Sequence, residues 1–156
     1  MKKQIGVLLA AALMSSLLAG CGTSASSSSS DGASAAETSN EVHLAVASPV
    51  TGDSAEYGIH FNVGAEMAVE KINAEGGING RTVVLESYDS KNDAKEAAEV
   101  ARLIGQNEQI LATIGDFSST CCMATAPIYE ENKLVQVSPS AGLIDFPRVG
   151  PYNFAT

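Results

Sequence analysis

Three consecutive hydroxyl residues, Ser118-Ser119-Thr120, are the strongest candidates for chemistry in this 156-residue sequence. They precede an apolar helical pattern, so they should lie where a helix begins. The free backbone N–H groups and positive dipole end of a helix N-terminus favour an anion, and hydroxyls can donate to a carboxylate. One of the three could instead serve only as the N-cap, a common role for serine. The run therefore indicates either a carboxylate site or an ordinary cap.

Tyr57 is a second candidate ligand residue, at the end of a predicted loop over residues 48–58. Its ring could cover an apolar ligand body, and its hydroxyl could orient that body. Alternatively, the ring only packs the loop onto the following helix.

The patterns typical of enzymes and cofactor sites are not found in the sequence. No serine is accompanied by a histidine near a predicted strand end, and neither a Walker loop nor a G-x-G-x-x-G after the first strand occurs. Cys121-Cys122 lack the C-x-x-C redox spacing, so we expect them to pack beneath the site. His43 and His60 stand in separate segments, so no metal, and no other cofactor, is predicted.

Four short apolar runs separated by helical patterns predict the elements that position these residues. The runs predict strands over residues 42–47, 82–88, 110–115 and 134–138. The predicted helices have the apolar faces Phe61/Ala65/Ala68/Ile72 and Ala97/Val100/Ala101/Ile104, followed by a third helix over about residues 118–131. Asn92 or Asp93 would cap the second helix, and Pro127 predicts that the third is kinked or begins close to it.

This alternation predicts an α/β fold, a Rossmann-like parallel sheet with helices on both faces. Right-handed crossovers and the flavodoxin-like strand order 2-1-3-4 place the switch point between the first and third strands. Ligands of such sheets bind outside the carboxyl ends of the strands at that point. The site should therefore form where loops 48–58, 116–120 and 139–143 meet.

The first 41 residues have the composition of an export segment and a tether. Lys2 and Lys3 precede an apolar stretch over residues 5–18, which is typical of a secretory signal and too short to span a membrane. Leu18-Ala19-Gly20-Cys21 resembles a bacterial lipobox, so we expect residues 1–21 to be a lipoprotein signal peptide and Cys21 to be lipidated. Ordinary cleavage near Gly20 is the alternative. The Ser/Ala-rich residues 22–41 predict a flexible tether.

The charge distribution excludes nucleic acid as a partner. The chain carries 9 basic and 18 acidic residues, a net charge of −9. Removal of Lys2 and Lys3 with the signal peptide would lower that charge by two, to −11. No basic stripe remains for phosphates or an anionic membrane surface.

From the first strand onward, the sequence resembles the type I periplasmic binding proteins that serve branched-chain amino-acid (leucine/isoleucine/valine) ABC transporters. The matching motifs are Pro49-Val50-Thr51-Gly52 with Tyr57-Gly58, Gly64-Ala65-Glu66, Ile72-Asn73-Ala74-Glu75-Gly76-Gly77-Ile78-Asn79-Gly80, Tyr88-Asp89, Gly115 with Ser118-Ser119, Ala126-Pro127-Ile128-Tyr129 and Ser138-Pro139-Ser140. The resemblance implies a non-enzymatic, extracytoplasmic protein that delivers an amino acid or similar small carboxylate to ABC permease subunits. A ligand-sensing ectodomain of the same fold and a non-functional truncated fragment are the alternatives.

The resemblance also implies a set of ligand-binding residues. Ser119 would hold the ligand carboxylate through its hydroxyl and backbone N–H, and the backbone near Ser140 would complete this half of the site. Gly142 stands where amino-acid binders commonly have threonine, so the ligand identity stays open. The full implied set is Tyr57, Ser118, Ser119, Ser140, Ala141 and Gly142.

The resemblance covers about the first third of a family chain, so residues 42–156 would form a partial N-terminal lobe without the hinge and second lobe. We then expect the fourth strand to be an unprotected sheet edge, which is a template for association. We also expect weak ligand binding, because one lobe supplies only part of a clamshell site.

Overall fold

Parallel strands and helices alternate through residues 40–156, the part of the chain that the computed structural model describes. The predicted signal peptide, the lipobox and most of the predicted tether lie outside these residues. The elements are β1 Glu41–Ser48, α1 Ala55–Ala74, β2 Thr82–Asp89, α2 Ala94–Gln106, β3 Ile110–Ile114, α3 Ser119–Asn132, β4 Val135–Ser138, a 3-10 helix Phe146–Arg148 and β5 Asn153–Ala155. The ends of the four predicted strands differ from these by one residue at most, and Glu41 belongs to β1 rather than to the tether.

The strands form one parallel sheet in the order β2-β1-β3-β4-β5. This confirms the predicted order and the switch point between β1 and β3. The expectation that the fourth strand is a free edge is wrong, because β5 pairs with it from Gln136↔Asn153 to Ser138↔Ala155. At only three residues, β5 is too short to show a strand pattern in the sequence. Association through an exposed β4 edge therefore has no basis.

Helices α2 and α3 cover one face of the sheet. The core there contains Ala45, Ala47, Ala101, Ile104 and Tyr129, all of them buried. The predicted inner face of α2 is confirmed, since Ala97, Ala101 and Ile104 are buried. Its N-cap is Asp93, whose carboxylate accepts hydrogen bonds from the backbone N–H groups of Lys95 and Glu96.

Helix α1 covers the opposite face, because it contacts Ser48, whose side chain alternates with that of Ala47 along β1. Its buried residues are Gly58 and Asn62, whereas the predicted inner residue Ala68 is exposed. Asn62 donates to the Ser48 hydroxyl at 2.8 Å. A β-carbon at Gly58 would lie 1.8 Å from the Pro49 carbonyl oxygen. The side of α1 that packs against the sheet is thus determined by the close backbone approach at Gly58 and by the buried hydrogen bond of Asn62, not by an apolar stripe.

Helix α3 begins at Ser119, eight residues before Pro127, so the alternative that it begins close to the proline is wrong. Pro127 lies inside the helix and is exposed. A proline at this position cannot donate to the carbonyl one turn earlier, a loss that the helix accommodates on its solvent side.

Candidate ligand-binding site

Two of the predicted site loops, after β3 and after β4, are joined by direct hydrogen bonds. The Ser140 hydroxyl donates to the Phe117 carbonyl at 2.6 Å, and the Ser138 hydroxyl donates to the Asp116 carbonyl at 2.9 Å. The Leu143 N–H donates to the Ser119 hydroxyl oxygen at 3.2 Å. The carboxyl ends of β3 and β4 thus present one connected surface, as the switch-point argument predicts.

Ser118 is the N-cap of α3. Its hydroxyl oxygen accepts from the Cys121 N–H at 3.3 Å, and its carbonyl accepts from the Cys122 N–H at 2.9 Å. The backbone of Ser118 has the extended conformation usual for a cap, with φ −96° and ψ 146°. The capping interpretation is therefore correct for this residue, and its hydroxyl oxygen is already engaged.

Ser119 has a different environment from its neighbour. Its hydroxyl oxygen accepts from Leu143 N–H, which leaves the hydroxyl proton available for an acceptor. The backbone N–H groups of Ser119 and Thr120 have no acceptor among residues 40–156, and neither has that of Gly142. Four donors, three at the start of α3 and one in the loop after β4, therefore have no acceptor within residues 40–156, a set that suits the two oxygens of a carboxylate.

Ser140 and Ala141, in the loop after β4, have backbone N–H groups that are already engaged within the protein. Both of their N–H groups donate to the Ser138 hydroxyl oxygen, at 3.4 Å and 3.0 Å, and Ala141 is buried. Since the Ser140 hydroxyl donates to Phe117, its side chain is not free either. Gly142 is exposed, and a β-carbon placed on it would meet nothing within 4 Å. The loop after β4 is thus held by hydrogen bonds to Ser138 and Phe117 and is exposed to solvent at Gly142.

Tyr57 lies in the first turn of α1 and not in a loop, because the helix begins at Ala55. Its ring stacks on Phe117 with the ring centroids 4.6 Å apart and the planes at 16°. Phe117 in turn meets Phe61 edge-to-face at 6.0 Å and 72°. Phe117 is not among the residues that the sequence predicts for the site. The available signal was an aromatic residue directly before the two serines, in a loop already assigned to the site.

Asp116 is a second residue that sequence reasoning passed over. Its side chain is fully buried, with one carboxylate oxygen accepting from the Phe117 N–H at 2.5 Å. The other oxygen, Oδ2, has no hydrogen-bond partner within residues 40–156. Burial raises the pKa of Asp116 to about 6, against an ordinary value of 3.8. A group that titrates in this range lies directly beneath the candidate site.

The loop after β1 is held by the Asp89 carboxylate at the end of β2. It accepts from the Val50 N–H at 3.0 Å, from the Lys91 N–H at 2.9 Å, and from the Thr51 hydroxyl. Burial by itself would raise the pKa of Asp89, but the hydrogen bonds led by that of Thr51 outweigh burial and lower the pKa. This carboxylate therefore fixes the loop rather than facing a ligand.

Cys121 and Cys122 pack beneath the site as predicted. Both are buried free cysteines, and the Cys122 thiol lies 3.4 Å from the Asp116 carbonyl oxygen. Burial raises the pKa of Cys121 to about 11, which keeps its thiol protonated and unreactive near neutral pH.

Within residues 40–156 there is no cluster of three or more His, Cys, Asp or Glu side chains arranged to hold a metal ion. In the same part of the chain, no helix has both the length and the apolar character needed to cross a membrane.

An open parallel α/β sheet of this kind is typical of lobes that take small molecules at the carboxyl ends of their strands. Residues 41–156 match the family model described as periplasmic binding protein, and the chain belongs to that family. Its members bind solutes and are not enzymes, and the family implies an extracytoplasmic location.

Curated relatives include the leucine-, isoleucine-, valine-, threonine- and alanine-binding protein of Pseudomonas aeruginosa. It is 36% identical over 100 residues, which cover 64% of this chain and 26% of the relative. The Leu/Ile/Val-binding protein homolog 1 of Brucella abortus is 31% identical over 113 residues, which cover 72% of this chain and 30% of the relative. The chain thus spans between a quarter and a third of the length of these relatives.

Solved structures show the same likeness. The branched-chain amino acid transporter substrate-binding protein LivJ of Streptococcus pneumoniae, in complex with isoleucine, superposes with a TM-score of 0.71 at 27% identity, covering 74% of this chain and 33% of that one. The leucine-binding protein LivK of Thermotoga maritima gives a TM-score of 0.67 at 29% identity, covering 73% and 32%.

Proposed function

We propose that this chain is the substrate-binding lipoprotein of an ABC importer and that it holds the carboxylate of a branched-chain amino acid or similar small acid. The observation that carries the proposal is the donor set formed by the start of α3 and the loop after β4. The Ser119 hydroxyl proton and the N–H groups of Ser119, Thr120 and Gly142 have no acceptor among the described residues. A carboxylate there would satisfy several donors at once and interact favourably with the helix dipole.

The remaining predicted residues have distinct roles in this proposal. Ser118 organises the helix start as its cap, and Ser140 joins the two loops through Phe117. Tyr57 supplies the apolar wall, with half of its surface exposed.

The names of the relatives support the transport role, since the similar proteins are described as binding leucine, isoleucine and valine. Permease subunits of an ABC importer are the proposed macromolecular partner. The predicted lipid on Cys21 would hold the protein at the outer surface of the cell membrane.

Ser119→Ala tests the carboxylate site. The substitution removes a hydrogen bond to a charged group, worth about 1.5 to 3 kcal/mol, so L-leucine should bind at least about tenfold more weakly. Titration calorimetry on the unaltered protein and on the variant measures the two affinities for L-leucine. Ser87→Ala, an exposed serine on the edge strand β2, is the matched control and should leave the affinity unchanged. Equal affinity of the Ser119 variant and the unaltered chain would place the anion elsewhere.

Cys21→Ser tests the anchor. Fractionation of the expressing cells should move the protein from the membrane to the soluble fraction, and mass spectrometry of the unaltered protein should find a lipid on Cys21. A soluble, unmodified N-terminus in the unaltered protein would contradict the lipoprotein assignment while leaving the ligand site untouched.

A further inference from the structure

Three of the chain's aromatic residues gather at the mouth of the candidate site. The whole sequence has 4 Phe, 4 Tyr and no Trp, so aromatic rings are scarce. Tyr57, Phe61 and Phe117 nevertheless form one cluster, stacked and edge-to-face. Tyr57 keeps 53% of its surface exposed within that cluster. A half-exposed tyrosine backed by a second ring is an apolar surface that water covers poorly.

Phe117 is the fixed member of this cluster. Its N–H donates to the Asp116 carboxylate at 2.5 Å, and its carbonyl accepts from the Ser140 hydroxyl at 2.6 Å. Its backbone is thus held from both sides, two residues before Ser119. Phe61 contacts the Phe117 ring edge-to-face, so the ring itself is supported as well.

Tyr57 takes its position from Phe117. The two rings are nearly parallel, at 16°, with the centroids 4.6 Å apart. One face of the tyrosine ring is therefore covered, and the exposed surface belongs to the other face and the hydroxyl end. An exposed ring face held in this way can accept a third ring in offset stacking.

The loop after β4 leaves open space at Gly142. Gly142 has no side chain, and the space where a β-carbon would stand holds no atom within 4 Å. Its N–H belongs to the unpaired donor set, and the Ser140 hydroxyl joins the same loop to Phe117, so a carboxylate bound there would lie near the aromatic cluster.

We infer, on the basis of the proposed function, that Phe117 is a positioning residue that fixes the ring of Tyr57, and that the site prefers carboxylates with a planar aromatic body. The inference narrows the ligand class of the same site. It assigns the preference to the stacked pair and the carboxylate to Ser119.

A comparison of L-phenylalanine with L-cyclohexylalanine tests the aromatic preference separately from carboxylate binding. The two compounds share the carboxylate and the ammonium and have nearly the same size, but only the first has an aromatic ring. Saturation-transfer NMR on the protein measures both affinities. Aromatic pairs contribute beyond their buried area, so the aromatic ligand should bind about two- to tenfold more tightly. The ratio of the two affinities is independent of the folded fraction of the sample.

Phe117→Leu should bring this ratio close to one, whereas Phe117→Tyr should restore it. Phe154→Leu, at an exposed aromatic residue on β5 outside the cluster, is the control and should keep the ratio of the unaltered chain. A ratio near one in the unaltered chain, or an unchanged ratio in Phe117→Leu, would overturn the inference and leave the proposed function standing. If neither ligand binds, or if Ser119→Ala weakens neither, the proposed function fails and the inference fails with it.

Discussion

The core between the sheet and helices α2 and α3 differs in kind from the loops at the carboxyl ends of the strands. In the core, small and branched apolar side chains such as Ala45, Ala101 and Ile104 are fully buried. In the loops, backbone donors at Ser119, Thr120 and Gly142 lack acceptors within residues 40–156. The first arrangement stabilises the fold, and the second leaves interactions for a ligand to complete. Substitutions in the two regions should therefore separate stability from recognition.

Ile104→Ala should produce the largest loss of stability. The side chain is fully buried in the core cluster, so truncation leaves a cavity and should lower the free energy of unfolding by about 2 to 5 kcal/mol. Urea unfolding followed by circular dichroism measures it. The adjacent Leu103, 60% exposed on the same helix, is the control, and Leu103→Ala should change the free energy by no more than about 0.5 kcal/mol. Similar losses for both variants would show that the core is not close-packed.

Asp116→Asn should change the pH dependence of stability. The pKa of Asp116 is about 6 in the folded chain against 3.8 ordinarily, so the folded state binds the proton more tightly. Its contribution to stability is complete below about pH 4 and is lost as the pH rises through 6. The total change is at most about 3 kcal/mol.

The asparagine variant cannot ionise, but it keeps an oxygen for the Phe117 N–H. Its free energy of unfolding should therefore increase relative to that of the unaltered chain between pH 4 and pH 7. Urea titrations at several pH values give this difference. A constant difference across the range would mean that the buried carboxyl keeps its ordinary pKa.

Ser118→Ala sharpens the comparison within two neighbouring residues. Loss of the cap to Cys121 N–H should cost about 1 kcal/mol of stability. Ser119→Ala should cost much less, because the Ser119 hydroxyl serves only the exposed Leu143 N–H. Thermal unfolding of both variants measures the two losses of stability. Equal losses would remove the distinction between a structural and a ligand-facing serine.

Sequence patterns predicted much of the core and only part of the loops at the carboxyl ends of the strands. The strands and α2 follow from apolar periodicity, and Asp93 carries a recognisable cap signal. The start of α1 does not, because the apolar spacing that predicts this helix begins at Phe61, six residues after Ala55. This late beginning of the pattern placed Tyr57 in a loop.

The roles of Asp116 and Phe117 depend on contacts between separate segments. Burial of the carboxyl and stacking against Tyr57 arise only when the loop after β3 meets α1. The pairing of β5 with β4 is likewise a tertiary event that three residues cannot signal by periodicity. Topology, in contrast, correctly predicted that the loops after β3 and β4 meet, because the carboxyl ends of neighbouring parallel strands lie at the same edge of the sheet.

Amide chemical shifts test the carboxylate site most directly. In a ¹⁵N-labelled sample of the protein, L-leucine should shift the N–H signals of Ser119, Thr120 and Gly142 together, with one common dissociation constant. L-leucinamide lacks the carboxylate and should leave all three signals in place. Equal shifts with both compounds, or shifts confined to other residues, would contradict the assignment of these donors to a ligand carboxylate.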